Sequence, residues 1–152
     1  HNHSDIIQPW GGVLELRVDH LTGSSNYQGL FLNADYNQNG AFLLKNINLV
    51  ANEKWFDGAG GGYMIWLDGK SSPPPQTELE NVYVTPRSGA GLRQTVQPYD
   101  DTLVISGDGT FASWPSLTHV RGGVSLTPES MPDFVPAGSV GLGYVSPWGD
   151  LY

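Results

Sequence analysis

The sequence predicts an all-β protein whose strands stack as a parallel β-helix, a solenoid of about four coils. Short apolar segments of two kinds alternate along the chain and recur at matched intervals. Gly, Asn, Ser and Pro separate them, and none carries a helical stripe. Because sequence periods of roughly 20 to 50 residues mark stacked repeats, we expect each strand to pair with its counterpart one coil away.

The matched intervals are the main evidence for the repeat. The first kind of segment is centred on Ile7, Leu30, Ile65 and Val104, at intervals of 23, 35 and 39 residues. The second kind is centred on Val18, Leu44, Leu79 and Leu117, at intervals of 26, 35 and 38 residues. Independent hairpins have no reason to share such intervals. A jelly-roll carbohydrate-binding domain would share the composition but not this spacing.

Composition narrows the class of protein. The 152 residues include 20 Gly and 11 Pro, no Cys, and a net charge of −8. Such a charge argues against nucleic-acid partners and anionic membrane surfaces, and no apolar run approaches the length of a membrane span. The absence of Cys excludes disulfides and thiol catalysis. The low-charge, Gly- and Asn-rich mixture is typical of extracellular, secreted or virion-surface proteins.

The segments divide the chain into β-helix coils at 1–122 and an extended C-terminal cap at 123–152, within one domain. Loop insertions are expected at 50–62, 69–76 and 86–101, where Gly and Pro are concentrated. The first strand begins about Asp5, with nothing before it to cover the coil. Because terminal repeats need caps, we expect a neighbouring subunit or an upstream domain at this N-terminal coil.

In the second kind of segment, one position is polar in all four copies. This position is expected to form a hydrogen-bonded ladder of His20, Asn46, Asn81 and His119. The pattern resembles the asparagine ladders of the right-handed parallel β-helix superfamily, which contains pectate lyases, polygalacturonases and phage tailspikes. The resemblance covers roughly residues 3–122 and rests on the repeat rather than on a diagnostic motif.

The N-terminal stretch is also similar to secreted bacterial β-helix proteins of unassigned activity. The likeness lies in His3-Ser4-Asp5, Gln8 and Trp10-Gly11-Gly12. The superfamily resemblance implies a polysaccharide lyase or glycoside hydrolase if the chain is an enzyme. Neither the calcium-binding acidic set of the lyases nor the clustered aspartates of the hydrolases is recognisable here, so the sequence favours a chain without catalysis.

The candidate catalytic residues are His3, Asp5, Asp19 and His20. His3 and Asp5 are two apart on a strand and share one face, where they could bind a metal or form an acid–base pair. A structural hydrogen-bonding role is the alternative for both. A copper site built on His1 as a mature N-terminus is a further alternative.

A calcium site is predicted at Asp35, Asn37 and Asn39, which match the first half of a D-x-N-x-N-G loop. Oxygen ligands at alternate positions before a glycine turn suit a hard cation. The twelfth position of this loop is Asn46 rather than Glu, and the alternative is an Asx-rich turn between strands.

Aromatic side chains suggest a carbohydrate-binding surface. Trp55, with Asp57 beside it in a loop, and Trp10 are the candidates for stacking on sugar rings. Phe31 and Trp66 occupy corresponding repeat positions, so we expect them to stack on each other and exclude them from a sugar site. Core or cap packing is the alternative for every tryptophan.

Two functions follow from these observations. The first is an extracellular structural protein that self-associates, or packs on an upstream domain, as a filament, spike or longer β-helix. The alternative is a polysaccharide-binding or polysaccharide-degrading module. The missing catalytic set and the uncovered first coil favour the structural function.

Overall fold

A computed structural model describes residues 5–9, 12–33, 40–53, 62–68, 74–97, 102–129 and 134. These residues form strands and one four-residue helix. The strands are β1 (Asp5–Ile7), β2 (Glu15–Ser25), β3 (Gln28–Asn33), β4 (Ala41–Ala51), β5 (Ile65–Asp68), β6 (Gln76–Thr85), β7 (Val96–Gln97), β8 (Val104–Ser106), β9 (Phe111–Ser113) and β10 (Val120–Leu126), and the helix is α1 (Leu92–Thr95).

The strands form two sheets. One is a four-stranded, all-parallel sheet in the order β1-β3-β5-β7, and the other is a six-stranded mixed sheet in the order β2-β4-β6-β10-β9-β8. Parallel pairing joins β2, β4, β6 and β10, whereas β9 and β8 are added in antiparallel orientation. The chain alternates between the sheets through the first six strands, so strands that are neighbours in space are distant in sequence.

Each long strand bends at one residue with a left-handed backbone. Asn46 in β4 has φ 54° and Asn81 in β6 has φ 54°. In β4 the buried side chains before the bend are Phe42 and Leu44, and those after it begin with Ile47. The alternation of buried and exposed positions therefore changes phase at the bend, and both arms of one strand face the core. Asparagine suits this position because it tolerates left-handed backbone better than most residues.

An apolar core of described residues lies between the two sheets. From the four-stranded sheet it receives inward side chains such as Leu30 and Ile65, and from the six-stranded sheet Leu44 and Val82, all at most 2% exposed. Most core residues are aliphatic and β-branched residues recur among them, as expected for strands buried on one face.

The predicted right-handed parallel β-helix of about four coils is wrong, and the all-β class alone holds. The strands form a four-stranded parallel sheet and a six-stranded mixed sheet instead of a solenoid, and the fourth repeat does not pair as the first three do. The pairings expected among the first three repeats are present, with Ile7 opposite Leu30 and Leu30 opposite Ile65. Beside Ile65, however, lies Val96 rather than Val104.

The chain reverses where the fourth repeat was expected. Gly107, Asp108 and Gly109 all have positive φ, between 53° and 93°, and form the tight turn of a β8–β9 hairpin. The hairpin joins the six-stranded sheet through β10. There Gly122 pairs with Leu79, an interval of 122 − 79 = 43 residues instead of the expected 38. The expected boundary between coils and cap, at residue 122, falls inside β10.

Gly122 offers a test of the observed register. A Cβ built on Gly122 would collide with the carbonyl oxygen of Leu79, and its φ is 79°. Gly109 has φ 93°, but a Cβ there meets nothing within 4 Å. Gly109→Ala should therefore lower the free energy of unfolding by roughly 1–2 kcal/mol, the cost of left-handed backbone alone. Gly122→Ala should cost about 1–3 kcal/mol more, because the neighbouring backbone has to move.

Denaturant unfolding of the two variants measures the difference. Equal losses of stability would show that β10 does not approach β6 as closely at Gly122 as the register requires.

Candidate functional site

The β2 end of the six-stranded sheet is the candidate site. β2 is the last strand in the order and has eleven residues, and among the described residues no strand pairs with its outer edge. Val18 and Leu21 point toward the core but are only partly buried. Their partners Leu44 and Ile47 in β4 are 1% and 0% exposed. The apolar core is therefore covered along β4 and β6 and only partly covered at β2.

The backbone hydrogen bonds show which groups of β2 face this open edge. The carbonyls of Leu14 and Ser25 accept hydrogen bonds at 2.9 Å from the β4 side. Neighbouring residues of a strand direct their amide and carbonyl groups to opposite sides. The backbone groups that point toward the open edge therefore belong to Glu15 and Arg17 before the bend and to Ser24 after it.

A line of polar side chains crosses the sheet at the bend. The amide nitrogen of Asn81 donates to Oδ1 of Asn46 at 3.0 Å, and Nδ2 of Asn46 donates to Oδ1 of Asp19 at 2.9 Å. The same Asp19 oxygen lies 2.8 Å from Nδ1 of His20, which has φ 58°. The expected contact between Asn46 and Asn81 is confirmed. The line reaches β2 through the Asp19 carboxylate, with His20 as its terminal member.

The predicted place of His119 in this ladder is wrong. Val120 pairs with Thr77, so His119 lies just before β10, and its carbonyl accepts from the Thr77 amide at 2.8 Å. The β10 residue with left-handed backbone is Gly122, which has no side chain to continue the line. Partial burial lowers the pKa of His119 below its ordinary value.

Phe134 lies over the outer face of the sheet near the bend. Its ring meets the His20 ring edge-on at a centroid distance of 6.4 Å and the Tyr83 ring at 6.0 Å. Phe134 belongs to the segment predicted as a cap, and its contacts place this residue beside the outer faces of β2 and β6.

Charged side chains cover the outer face of the first arm of the sheet. Lys45 and Glu80 form an ion pair at 2.9 Å, and the Glu80 carboxylate raises the pKa of Lys45. Arg17 pairs with Glu15 along β2, and this carboxylate raises the pKa of Arg17. All four side chains are about half exposed or more, so these pairs add little to stability.

A shallow groove of about 210 Å³ runs between these charges. Leu43 is one of its lining residues, together with Arg17, Asp19, Lys45 and Glu78. The residues that line it include the hydrogen-bond donors Arg17 and Lys45 and the carboxylate acceptors Asp19, Glu78 and Glu80. None of its lining residues is aromatic.

Arg87 is a structural residue that sequence reasoning missed. Its Nη2 donates to the Asn26 carbonyl at 2.8 Å and its Nε to the Asn52 carbonyl at 2.7 Å, so one guanidinium joins the ends of β2 and β4. Residues 26, 52 and 87 are separated by 26 and 35, which are the intervals of the repeat. The repeat arithmetic could therefore have found this contact.

The other candidate residues are placed as follows. Asp5 lies in β1, in the other sheet from Asp19 and His20, and lines an open cleft with Ser24 and Glu53. The following predicted site residues lie outside the described residues: His3, Trp10, Asp35, Asn37, Asn39, Trp55 and Asp57. The structure thus brings Asp19 and His20 together, and it does not bear on the calcium and sugar sites.

Two tryptophans that the structure describes belong to packed clusters. Phe31 and Trp66 stack at a centroid distance of 4.3 Å, which confirms the expected contact between corresponding repeat positions. Trp114 is 1% exposed and belongs to the core. Both therefore follow the packing alternative rather than forming an open sugar platform.

The described residues contain neither a metal-binding cluster nor a membrane-spanning helix. No group of three His, Asp or Glu side chains is close enough together there to hold a metal ion. No helix in these ranges has the length and apolar character needed to cross a bilayer.

Comparison of the chain with protein-family models, with curated proteins and with solved structures gave no match.

The polar line can be tested by exchanging two of its members. Asn46→Asp places two carboxylates against each other at positions 46 and 19 and should lower the free energy of unfolding by about 1 kcal/mol. Asp19→Asn alone should have a small effect, because an amide oxygen can still accept from Asn46. The double variant Asp19→Asn/Asn46→Asp should regain most of the loss, since the introduced amide then donates to the introduced carboxylate.

Urea unfolding of all four proteins gives the coupling energy, which we expect at about 0.5–1 kcal/mol. Simple addition of the two single effects would show that the Asp19–Asn46 contact contributes nothing.

Proposed function

We propose that this protein is a structural component that assembles by pairing the open edge of β2 with a strand of a neighbouring subunit. The observation that carries the proposal is the partial exposure of inward apolar side chains along β2, at positions that are fully buried in β4 and β6. A strand added there would cover the core in the way that β4 covers it from the other side.

The two ends of the six-stranded sheet support this choice of edge. β2 presents eleven residues without proline or a described bulge, and Leu14 beside it is 77% exposed. β8 at the other end has three residues and runs into a tight turn. Proteins protect their edges by making them short, and long regular edges are used for strand addition. β2 is thus the edge suited to a partner.

The register of the sheet indicates the chemistry of a suitable partner strand. It would bring an apolar side chain opposite Val18, a bend at His20, and a polar side chain within reach of Asp19. These are the features that β4 presents to β2 on the other side. Recognition would therefore combine backbone hydrogen bonds with apolar burial and one polar line.

Polysaccharide binding receives less support from the described residues. The groove over Leu43 has no aromatic lining residue on which a sugar ring could stack. Asp19 and His20 are in contact, but both side chains are about half exposed, and the other proposed catalytic residue in the described ranges, Asp5, lies in the other sheet. An extracellular or virion-surface location stays a prediction from composition.

Blocking the β2 edge tests the proposal. Arg17 directs its amide away from β4, so Arg17→Pro removes an edge donor without removing a β2–β4 hydrogen bond, and edge strands tolerate proline at such positions. Arg17→Ala is the matched control, because it loses the same ion pair with Glu15 and keeps the amide.

Sedimentation velocity over a range of concentrations measures the outcome. The unmodified protein and Arg17→Ala should self-associate, and Arg17→Pro should do so at least about fivefold more weakly, as expected for a lost hydrogen bond of about 1 kcal/mol. A protein that is monomeric at every concentration, or equal association of both variants, would contradict the proposal.

A further inference from the structure

The bend at His20 divides β2 into two arms. Inward side chains belong to even-numbered residues before the bend and to odd-numbered residues after it. Leu16 and Val18 point inward before the bend, and Leu21 does so after it, as their buried partners in β4 show. The outward positions include Arg17 before the bend and Ser24 after it. An antiparallel partner strand has to match this change of parity as well as the bend.

A second copy of β2 meets that requirement when it runs antiparallel about a twofold axis between residues 19 and 20. In that register the residue numbers of facing pairs sum to 39. Val18 then faces Leu21 of the partner subunit, so inward side chains meet inward side chains. Glu15 faces Ser24 of the partner subunit, so outward side chains meet outward ones. A shift of two residues in either direction places an inward residue opposite an outward one beside the bend.

The backbone groups fit the same register. Glu15 and Ser24 both direct their amides and carbonyls toward the open edge, because the carbonyls of Leu14 and Ser25 are used by the β4 side. In an antiparallel ladder, two opposite residues form a hydrogen-bonded pair when the backbone amide and carbonyl of each point at the other residue. Leu16 and Val18 direct their backbone amides and carbonyls toward β4. They therefore take the non-hydrogen-bonded positions of the ladder between subunits, where opposite side chains lie closer to each other.

The polar side chains at the centre are also complementary. Asp19 comes opposite His20 of the partner subunit, and His20 opposite Asp19 of the partner subunit, so a carboxylate faces an imidazole on both sides of the axis. Glu15 and Arg17 face Ser24 and Thr22 of the partner subunit, which carry no charge. Like charges therefore do not face each other, and such juxtaposition would oppose pairing.

From these observations, and resting on the proposed function, we infer that the occupant of the β2 edge is a second copy of this chain, bound as an antiparallel twofold dimer. The dimer joins two six-stranded sheets edge to edge and covers the partly exposed core of both subunits. It uses the one long edge that the described residues offer, so assembly through β2 ends at two subunits. An isologous contact of this kind closes on itself and does not grow into a filament.

Engineered disulfides test the register, because the chain has no cysteine of its own. In the double variant Glu15→Cys/Ser24→Cys each thiol faces its counterpart in the other subunit. The Cα separation expected for a hydrogen-bonded pair, about 5.5 Å, lies within the range that a disulfide spans. Within one subunit the two positions are nine residues apart along a strand, so they cannot bridge internally.

The matched control is Arg17→Cys/Ser24→Cys. It loses the same Glu15–Arg17 ion pair, but its thiols lie diagonally, at about 7–8 Å, beyond the reach of a disulfide. Under mild oxidation we expect covalent dimer from the first variant in large excess over the second, both read on non-reducing gels. Reduced samples should sediment like the unmodified protein and reach a plateau at the mass of two subunits.

The outcomes separate this inference from the proposed function. Species larger than dimers, or equal crosslinking of both variants, would overturn the twofold register. If Arg17→Pro still weakens association in that case, the β2 edge remains the assembly surface. A protein that neither crosslinks nor self-associates would overturn both.

Discussion

The fold depends on a left-handed residue placed inside each long strand. In a regular strand the side chains alternate between two faces, so a bent strand would turn one arm's apolar residues away from the core. Left-handed backbone at Asn46 and Asn81 changes the phase of the alternation where the chain bends. Both arms of each strand then contribute to one core, with Phe42 and Leu44 before the bend in β4 and Ile47 and Leu49 after it.

The bend also determines the register in which the long strands pair. Strands that bend at the same point pair in parallel only when their bends are aligned, and the hydrogen bonds between Asp19, Asn46 and Asn81 fix that alignment on the outer face. The series ends at β10, where the left-handed residue is Gly122, which pairs with Leu79 rather than Asn81 and has no side chain, and the β8–β9 hairpin follows in antiparallel orientation. Among the described residues, no comparable element follows β2 at the other end of the sheet. The functional proposal rests on this asymmetry between a closed and an open end.

The sequence correctly predicted the strand pairing among the first three repeats, and its prediction for the fourth repeat was wrong. Matched intervals predicted that Leu44 pairs with Leu79 and Leu30 with Ile65, because stacked strands with equal insertions keep their spacing. The same arithmetic failed at Val104, since an interval does not record direction and the turn at Gly107 reverses the chain. Val96, which takes the place beside Ile65, belongs to a two-residue strand too short to show a pattern.

Part of the candidate site could also be predicted from the sequence. Recurrent polar residues predicted the contact of Asn46 with Asn81, because left-handed asparagines in aligned bends bring their amides together. The sequence does not show that Asp19, one residue before the bend, receives the next hydrogen bond in place of His20. Nor does it show that Val18 and Leu21 are partly exposed, since that depends on where β2 stands in the sheet order.

Hydrogen exchange of the β2 amides, followed by NMR as a function of protein concentration, tests the central claim most directly. The amides of Leu16 and Val18, directed toward β4, should exchange slowly at every concentration. Those of Glu15, Arg17 and Ser24, directed toward the open edge, should exchange rapidly in dilute solution and become protected as the protein associates. If these three amides stay rapid in concentrated solution where the protein is associated, the β2 edge is not the surface through which it assembles.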